Sequence, residues 1–143
     1  MSDVPKKLAG KIRRAAKNRC GYCFGEQQYV FAWLEIEHLL PRSKGGKTVE
    51  ENLWLACTYC NTFKGSQTHG TDPETNKKSL LFNPRSQNWT KHFTLDSDLT
   101  TILGKTACGR ATVNALNLNY ELAIDTRKRW VKVGWYPPQD LML

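Results

Sequence analysis

The 143 residues are 40% hydrophobic and carry a formal net charge of +8. This length is typical of one domain, so we expect a single domain over residues 1–143. No apolar run approaches the roughly 20 residues that cross a bilayer, and no signal-peptide core follows the N-terminus, so we expect no membrane association. The positive charge favours a polyanionic partner, because Lys and Arg side chains that neutralise phosphates release counterions. Solubility alone is the competing explanation.

The first predicted element is a basic amphipathic helix over residues 6–19, with Leu8 and Ile12 on its apolar face. Such a helix could lie along a phosphate backbone, although a charge run is more often a solvated face. A strand rich in β-branched and aromatic residues is predicted over residues 28–38.

A second, shorter strand is predicted over residues 53–56, and it can form a hairpin with the first across the basic, turn-rich loop 43–47. Thr58 is placed to cap a short helix that follows. Residues 65–76 are polar and turn-rich, which predicts an exposed loop. The remaining predicted elements are strands over 80–82, 92–95 and 100–103, a helix over 110–116, and a last helix capped by Asn119.

Four cysteines form two matched pairs, Cys20-x-x-Cys23 and Cys57-x-x-Cys60. Two such pairs supply the four thiolates of a structural zinc site. In the reducing cytoplasm, where we expect this chain, metal binding is favoured over disulfides. A plain zinc ribbon separates its pairs by roughly 15–20 residues, whereas 33 residues lie between these pairs. The zinc therefore closes a loop around further functional residues.

The enclosed loop contains a histidine, an acid and an amide, and a second amide, Asn61, follows Cys60 directly; together they suit phosphodiester hydrolysis. His38 can take a proton from water near neutral pH. Glu37 and Asn61 offer the oxygen ligands that Mg²⁺ or another divalent cation prefers. Asn52 could accept a hydrogen bond from one ring nitrogen of His38 and so fix the tautomer. The set predicts a nuclease site.

One geometric objection concerns the choice of acid. Neighbouring residues on a regular strand point to opposite faces, so Glu37 and His38 share a site only if the strand breaks down as it approaches Pro41. Glu35 lies on the same face as Glu37 and is the rival metal ligand.

The motif segments that carry the prediction are Cys20-x-x-Cys23, Ile36-Glu37-His38-Leu39-Leu40-Pro41-Arg42-Ser43-Lys44-Gly45-Gly46, Asn52-Leu53 and Cys57-x-x-Cys60-Asn61-x-x-Lys64. In this order and spacing they resemble the HNH endonuclease family, in its four-cysteine branch. The resemblance extends from about residue 20 to Pro138 and includes downstream phrases such as Leu81-Phe82-Asn83-Pro84-Arg85, to which no chemistry is attached.

The resemblance implies an α+β fold with a ββα-metal (His-Me finger) core over residues 20–66, stapled by zinc, between a basic N-terminal helix (1–19) and a helical and β extension (67–143). It implies that His38 is the general base, that Asn52 orients it, and that Glu37 and Asn61 hold a catalytic divalent cation. The family usually cuts DNA one strand at a time and leaves a 5′ phosphate and a 3′ hydroxyl. Many relatives carry Asp at the position of Glu37 and His at that of Asn61.

The expected function is therefore metal-dependent hydrolysis of DNA, with DNA as the partner and zinc and Mg²⁺ as the metals. Arg42, Lys44 and Lys64 are candidate phosphate contacts, or else solvated charges. The alternative function is a zinc-stapled module that binds nucleic acid without cutting it. The five tryptophans are scattered over the predicted elements, which favours core positions over base-stacking platforms.

Overall fold

The computed structural model describes residues 4–141, which fall into two compact units. The first unit contains the described residues through Thr68 together with Asn83–Gln87, and the second contains His69–Phe82 and the described residues from Asn88 onward. Both units mix helices with antiparallel pairs of short strands, so the α+β class is confirmed. In chain order the helices and strands are α1 Lys6–Ala15, β1 Glu35–His38, β2 Leu53–Ala56, α2 Thr58–Lys64, β3 His69–Thr71, β4 Lys78–Leu80, α3 Trp89–His92, β5 Phe93–Leu95, β6 Ile102–Gly104, α4 Ala107–Ala115 and α5 Glu121–Lys132.

The first unit begins with the predicted basic helix. It ends at Ala15, four residues earlier than expected, because Lys17 and Asn18 adopt left-handed backbone conformations (φ 56° and 54°) that stop a helix. Ile12 is fully buried and Ala16 joins the core, while Lys6, Lys7, Lys11 and Arg14 are exposed. The helix therefore packs by its apolar face and presents its charges to solvent.

The hairpin at the centre of this unit pairs β1 with β2 in antiparallel register, with His38 opposite Leu53 and Glu35 opposite Ala56. Leu34 and Leu55 pack with Ala16 in the core beneath it. The bounds predicted for β2 are confirmed. The prediction of a long first strand over residues 28–38 was wrong, because only Glu35–His38 is a strand.

The segment before β1 is held by hydrogen bonds from one side chain, in place of the backbone hydrogen bonds of a paired strand. Gln27 lies in a 3₁₀ turn, Gln27–Tyr29. Its Oε1 accepts a hydrogen bond from the backbone N–H of Leu34 (2.8 Å), and its Nε2 donates to the carbonyl of Ala32 (3.1 Å). A glutamine amide thus takes the place of a neighbouring strand, which alternation of residue types did not reveal.

The loop between the two strands is closed at a glycine. A Cβ atom at Gly46 would stand 1.7 Å from the carbonyl oxygen of Leu40, so only glycine permits this close approach. After β2, helix α2 begins at Thr58, and its N-cap is Cys57 in place of the predicted Thr58. The Sγ atom of Cys57 accepts from the backbone N–H of Cys60 (3.3 Å). One atom therefore caps the helix and faces the metal site.

The second unit is built from the β3–β4 and β5–β6 pairs, helix α4 and the C-terminal helix α5. Its core contains the aromatic residues Phe82, Trp89 and Phe93. The ring centroid of Phe93 lies 5.1 Å from that of Phe82 and 5.1 Å from that of Trp89. The fully or nearly fully buried aliphatic side chains of this core are Ile102, Leu116 and Leu118.

Two buried charges tie the loops of this unit to its helices. Asp72 accepts two hydrogen bonds from the guanidinium of Arg110, each of 2.9 Å, and this contact holds the pKa of Asp72 well below its usual range. Arg127 on α5 donates to the backbone carbonyls of Thr100 and Leu118. Buried polar groups of this kind are stable only when partnered, so both pairs fix the path of otherwise irregular backbone.

Several predictions for this half of the chain need correction. The predicted loop 65–76 contains strand β3, and the strand placed over 80–82 is Lys78–Leu80. Asn119 does not cap the last helix, which follows Tyr120; its amide instead pairs with both backbone groups of Ile102 (2.8 Å each). The other predicted elements overlap β5, β6 and α4.

The division into residues 1–19, 20–66 and 67–143 within one domain stays a prediction. Among the residues that the structure describes, no helix combines the length and the apolar character that crossing a bilayer requires.

Candidate active site

The four predicted zinc ligands converge at the ends of the hairpin. The sulfur atoms of Cys20, Cys23, Cys57 and Cys60 all lie within 4.8 Å of one another. The Cys23 and Cys57 sulfurs are 3.8 Å apart, far beyond the roughly 2.0 Å of a disulfide. A tetrahedron with Zn–S bonds of about 2.3 Å has edges of about 3.8 Å. The donor set therefore fits a structural zinc ion.

The backbone around these sulfurs is arranged for thiolates. The N–H groups of Tyr22 and Gly25 donate to the Cys20 and Cys23 sulfurs (3.4 Å each). Without a cation the four groups compete for protons: hydrogen bonds with Cys20 lower the pKa of Cys23 and raise the pKa values of Cys57 and Cys60. A bound dication would deprotonate all four together.

His38, at the end of β1, is held by a residue that the sequence did not single out. Its Nε2 lies 2.8 Å from the hydroxyl oxygen of Thr48, in the loop before β2. When Nε2–H donates to Thr48, the lone pair that can accept a proton is on Nδ1. Thr48 therefore fixes the orientation of the ring, and the basic nitrogen is Nδ1 when Nε2–H is the donor of this contact.

Asn52 braces the loop through its side-chain amide. Its Oδ1 accepts from the N–H of Leu40 (2.8 Å), and its Nδ2 donates to the carbonyls of Leu40 and Lys47 (3.0 Å each). The amide is thus occupied by three backbone groups. These contacts hold the loop that carries Thr48, and the orientation of His38 by Asn52 stays a prediction.

Glu37 lies in the interior of the first unit. Its side chain is 1% exposed and its Oε1 is 3.0 Å from Nζ of Lys64, itself 4% exposed. Burial raises the pKa of Glu37, and the Lys64 charge opposes that rise. Burial and, secondarily, the Glu37 charge raise the pKa of the neighbouring Tyr22 hydroxyl. Lys64 also donates to the carbonyl of Leu39 (3.3 Å).

This buried ion pair bears on two predictions. The structure gives no support to a phosphate contact at Lys64, because its ammonium is enclosed with Glu37. Glu37 and His38 contact different partners, as expected for consecutive residues of a regular strand.

The other acid of β1, Glu35, lies beside the last residue of the motif. Its Oε1 accepts a hydrogen bond of 2.7 Å from Nδ2 of Asn61 on α2, and both side chains are half-buried. A carboxylate and a side-chain amide are thus in contact across the ββα core, through the amide nitrogen. Oxygen ligands of this kind fit a Mg²⁺ ion that keeps several of its waters.

The remaining predicted contacts, Arg42 and Lys44, occupy the short 3₁₀ helix Arg42–Lys44, and both side chains are exposed. Lys44 donates to the carbonyl of Ser66 (2.7 Å). Sequence reasoning missed Thr48 and Gln27 in this region. No motif spacing marks Thr48, ten residues after His38, and its partner becomes evident only once the loop is closed.

The comparisons with known proteins agree with this arrangement. The sequence model of the family described as HNH endonuclease matches residues 20–67. The chain is also 30% identical, over 106 residues, to the Septu protein PtuB of Bacillus thuringiensis. That alignment covers 73% of this chain and 38% of the relative, so the chain spans well under half of the relative's length. No solved structure matches the chain.

The resemblance predicted from the sequence is thus confirmed: residues 20–67 carry an HNH endonuclease motif on a ββα core, with a four-cysteine cluster suited to zinc. The alignment with the PtuB protein spans 106 residues, so the similarity extends beyond the matched region 20–67. Together these findings support a nuclease-like function.

We expect zinc to be essential for the first unit to fold. Binding of a structural zinc contributes roughly 10 kcal/mol, against a total stability of about 5–15 kcal/mol for a typical domain. Cys57→Ser should lose stoichiometric zinc and the cooperative thermal transition, as measured by elemental analysis and circular dichroism. Cys108→Ser, outside the cluster, should keep both. Equal zinc content and melting temperature in Cys57→Ser would contradict this assignment.

Proposed function

We propose that the chain is a metal-dependent endonuclease that hydrolyses phosphodiester bonds of DNA, in a cytoplasmic setting. The observation that carries the proposal is the 2.7 Å contact between Glu35 on β1 and Asn61 on α2, on the same short strand that ends in His38. The +8 charge and the match to the HNH endonuclease family further support a nucleic-acid substrate and a hydrolytic reaction.

His38 is the general base in this proposal. It accepts a proton from the water that attacks phosphorus, while the bond from phosphorus to the 3′ oxygen breaks, leaving a 5′ phosphate and a 3′ hydroxyl. Thr48 holds the imidazole so that one nitrogen carries the lone pair. Asn52 keeps the loop closed through its three backbone contacts.

Glu35 and Asn61 are the residues that we assign to the catalytic cation, in place of Glu37 and Asn61. A divalent cation held there would neutralise charge on the phosphate and on the leaving oxygen. The assignment follows from access, since Glu37 is enclosed with Lys64 whereas Glu35 lies at the surface beside Asn61. Exposed Arg42 and Lys44 are the proposed phosphate contacts near the loop.

The first test is nicking of supercoiled plasmid by zinc-loaded protein after dialysis, with and without added Mg²⁺ or Mn²⁺. We expect nicks only with added metal, and a loss of roughly 10²- to 10⁴-fold in His38→Ala, because that is the usual contribution of a general base. Zinc content is measured in both proteins as the folding control. Binding to plasmid without cleavage in either metal would favour a nucleic-acid-binding module instead.

Glu35→Gln and Glu37→Gln separate the two candidate acids. Glu35→Gln should keep its melting temperature and require at least about tenfold more Mg²⁺ for half-maximal nicking, because a metal ligand is weakened. Glu37→Gln should lose about 3–5 kcal/mol of stability in urea unfolding, because Lys64 is left buried without its counter-charge. If Glu37→Gln is stable but does not nick DNA while Glu35→Gln remains active, Glu37 and not Glu35 is the metal ligand.

Thr48→Val tests the support of the base. The variant should lower kcat roughly 10- to 100-fold with little change in plasmid affinity, because a misplaced imidazole loses the geometry of proton transfer. Thr48→Ser keeps the hydroxyl and should restore most of the rate. A Thr48→Val protein with the kcat of the wild type would show that the contact has no part in catalysis.

A further inference from the structure

Two aromatic side chains stand out in solvent immediately before β1. Phe31 is fully exposed and Trp33 is 74% exposed, although tryptophan is usually well covered in a folded protein. The placement of Trp33 in the core, predicted from the sequence, was therefore wrong. Between these two residues and β1, Leu34 is buried and anchors the segment.

The exposed rings are presented by an ordered scaffold. The side chain of Gln27 binds the backbone on both sides of Trp33, at the Ala32 carbonyl and at the Leu34 N–H. The guanidinium carbon of Arg13, on the last turn of α1, lies 5.6 Å from the centroid of the Trp33 ring. These contacts hold the backbone around Trp33 in an outward conformation and so lower the cost of ordering it on binding.

The helix that places Arg13 beside Trp33 is strongly basic. Helix α1 contains five basic residues and no acidic one. Lys6, Lys7 and Arg14 are exposed on it, and Lys17 follows it, also exposed. Lys11 forms an ion pair with Glu50, at 3.1 Å. Aromatic faces beside a positively charged surface are the arrangement by which proteins hold single-stranded nucleic acid, since every base has a face that can stack.

The rings also lie close to the catalytic strand in the chain. Trp33 is two residues before Glu35 and five before His38, so its Cα atom is at most roughly 18 Å from that of His38. This is about five nucleotide steps at roughly 3.4 Å each. A base stacked on Trp33 would therefore belong to the same short stretch of strand as the phosphate in the active site.

We propose that Phe31 and Trp33 form a stacking platform for unpaired bases, with the basic face of α1 along the phosphates, so that the enzyme engages locally opened or single-stranded DNA. This inference rests on the proposed function and adds its substrate class. A duplex with all bases paired keeps its base faces covered and offers the platform nothing to stack. The preference for unpaired DNA is set by two side chains that are not among the proposed metal-binding and catalytic residues.

The test compares two fluorescent 40-mer duplexes, one fully paired and one with a five-nucleotide mismatched bubble, by anisotropy with Ca²⁺ in place of Mg²⁺ and with gels to verify intact DNA. The wild type should bind the bubble about tenfold more tightly. Phe31→Ala and Trp33→Ala should each reduce that preference, and the double variant should abolish it while duplex affinity stays the same. Trp33→Phe should keep most of it.

Trp135→Ala is the matched control, because Trp135 is another exposed tryptophan, in the second unit. It should bind both duplexes as the wild type does. Melting temperature and zinc content verify folding, and Phe31→Ala serves on its own if Trp33→Ala fails to fold. Equal affinity of the wild type for the two duplexes, or unchanged bubble preference in Phe31→Ala, would overturn the proposal, and the latter would favour a protein partner for these rings.

The two proposals fail separately. If the wild-type protein nicks plasmid but does not prefer the bubble, the endonuclease proposal stands and the stacking proposal is refuted. A protein that prefers the bubble through Phe31 and Trp33 but never nicks would leave the platform and remove the catalytic assignment.

Discussion

The convergence of four sulfur atoms is the constraint on which the first unit depends. Two strands of four residues make a hairpin that is marginal by itself in water, and a buried cluster of Ala16, Leu34 and Leu55 packs against it. Units below roughly 70–80 residues are often stabilised further by a metal or a disulfide. The cysteines join the Cys20–Cys23 turn to the start of α2, so one ion bound by them would close this part of the chain.

That closure also positions the chemistry. Cys57 and Cys60 fix the first turn of α2, and Asn61 follows directly, so the helix presents the amide to Glu35 on β1. At the other end of the strand, the loop closed by Asn52 brings Thr48 to His38. The two halves of the site therefore stand at opposite ends of one four-residue strand, each held by a separate set of contacts.

The parts of this arrangement that follow from local chemistry were predictable from the sequence. The spacing of Cys20, Cys23, Cys57 and Cys60 identified the metal cluster, and the apolar run at Leu53 gave β2 its bounds. Contacts between distant side chains were not predictable. Gln27 replaces a strand neighbour of the segment before β1, so alternation of residue types suggested a strand that does not form.

The same limit applies to the charges. Glu35 and Glu37 occupy equivalent faces of β1 in the sequence, and only the position of α2 distinguishes them, by giving Lys64 to one and Asn61 to the other. The exposure of Trp33 was not predictable from the sequence either. Tryptophan usually lies in a core, and the contact that holds this segment outward comes from the side chain of Gln27. The different environments of these two glutamates therefore depend on packing between segments about 25 residues apart in the chain.

The buried pair of Glu37 and Lys64 has a consequence for how this protein can evolve. A neutral residue at either position leaves the other charge enclosed, so single changes are selected against while a joint change to two apolar residues of similar volume is tolerated. We therefore expect substitutions at the two positions to occur together among relatives. A catalytic residue would instead be retained alone, whatever its neighbours became.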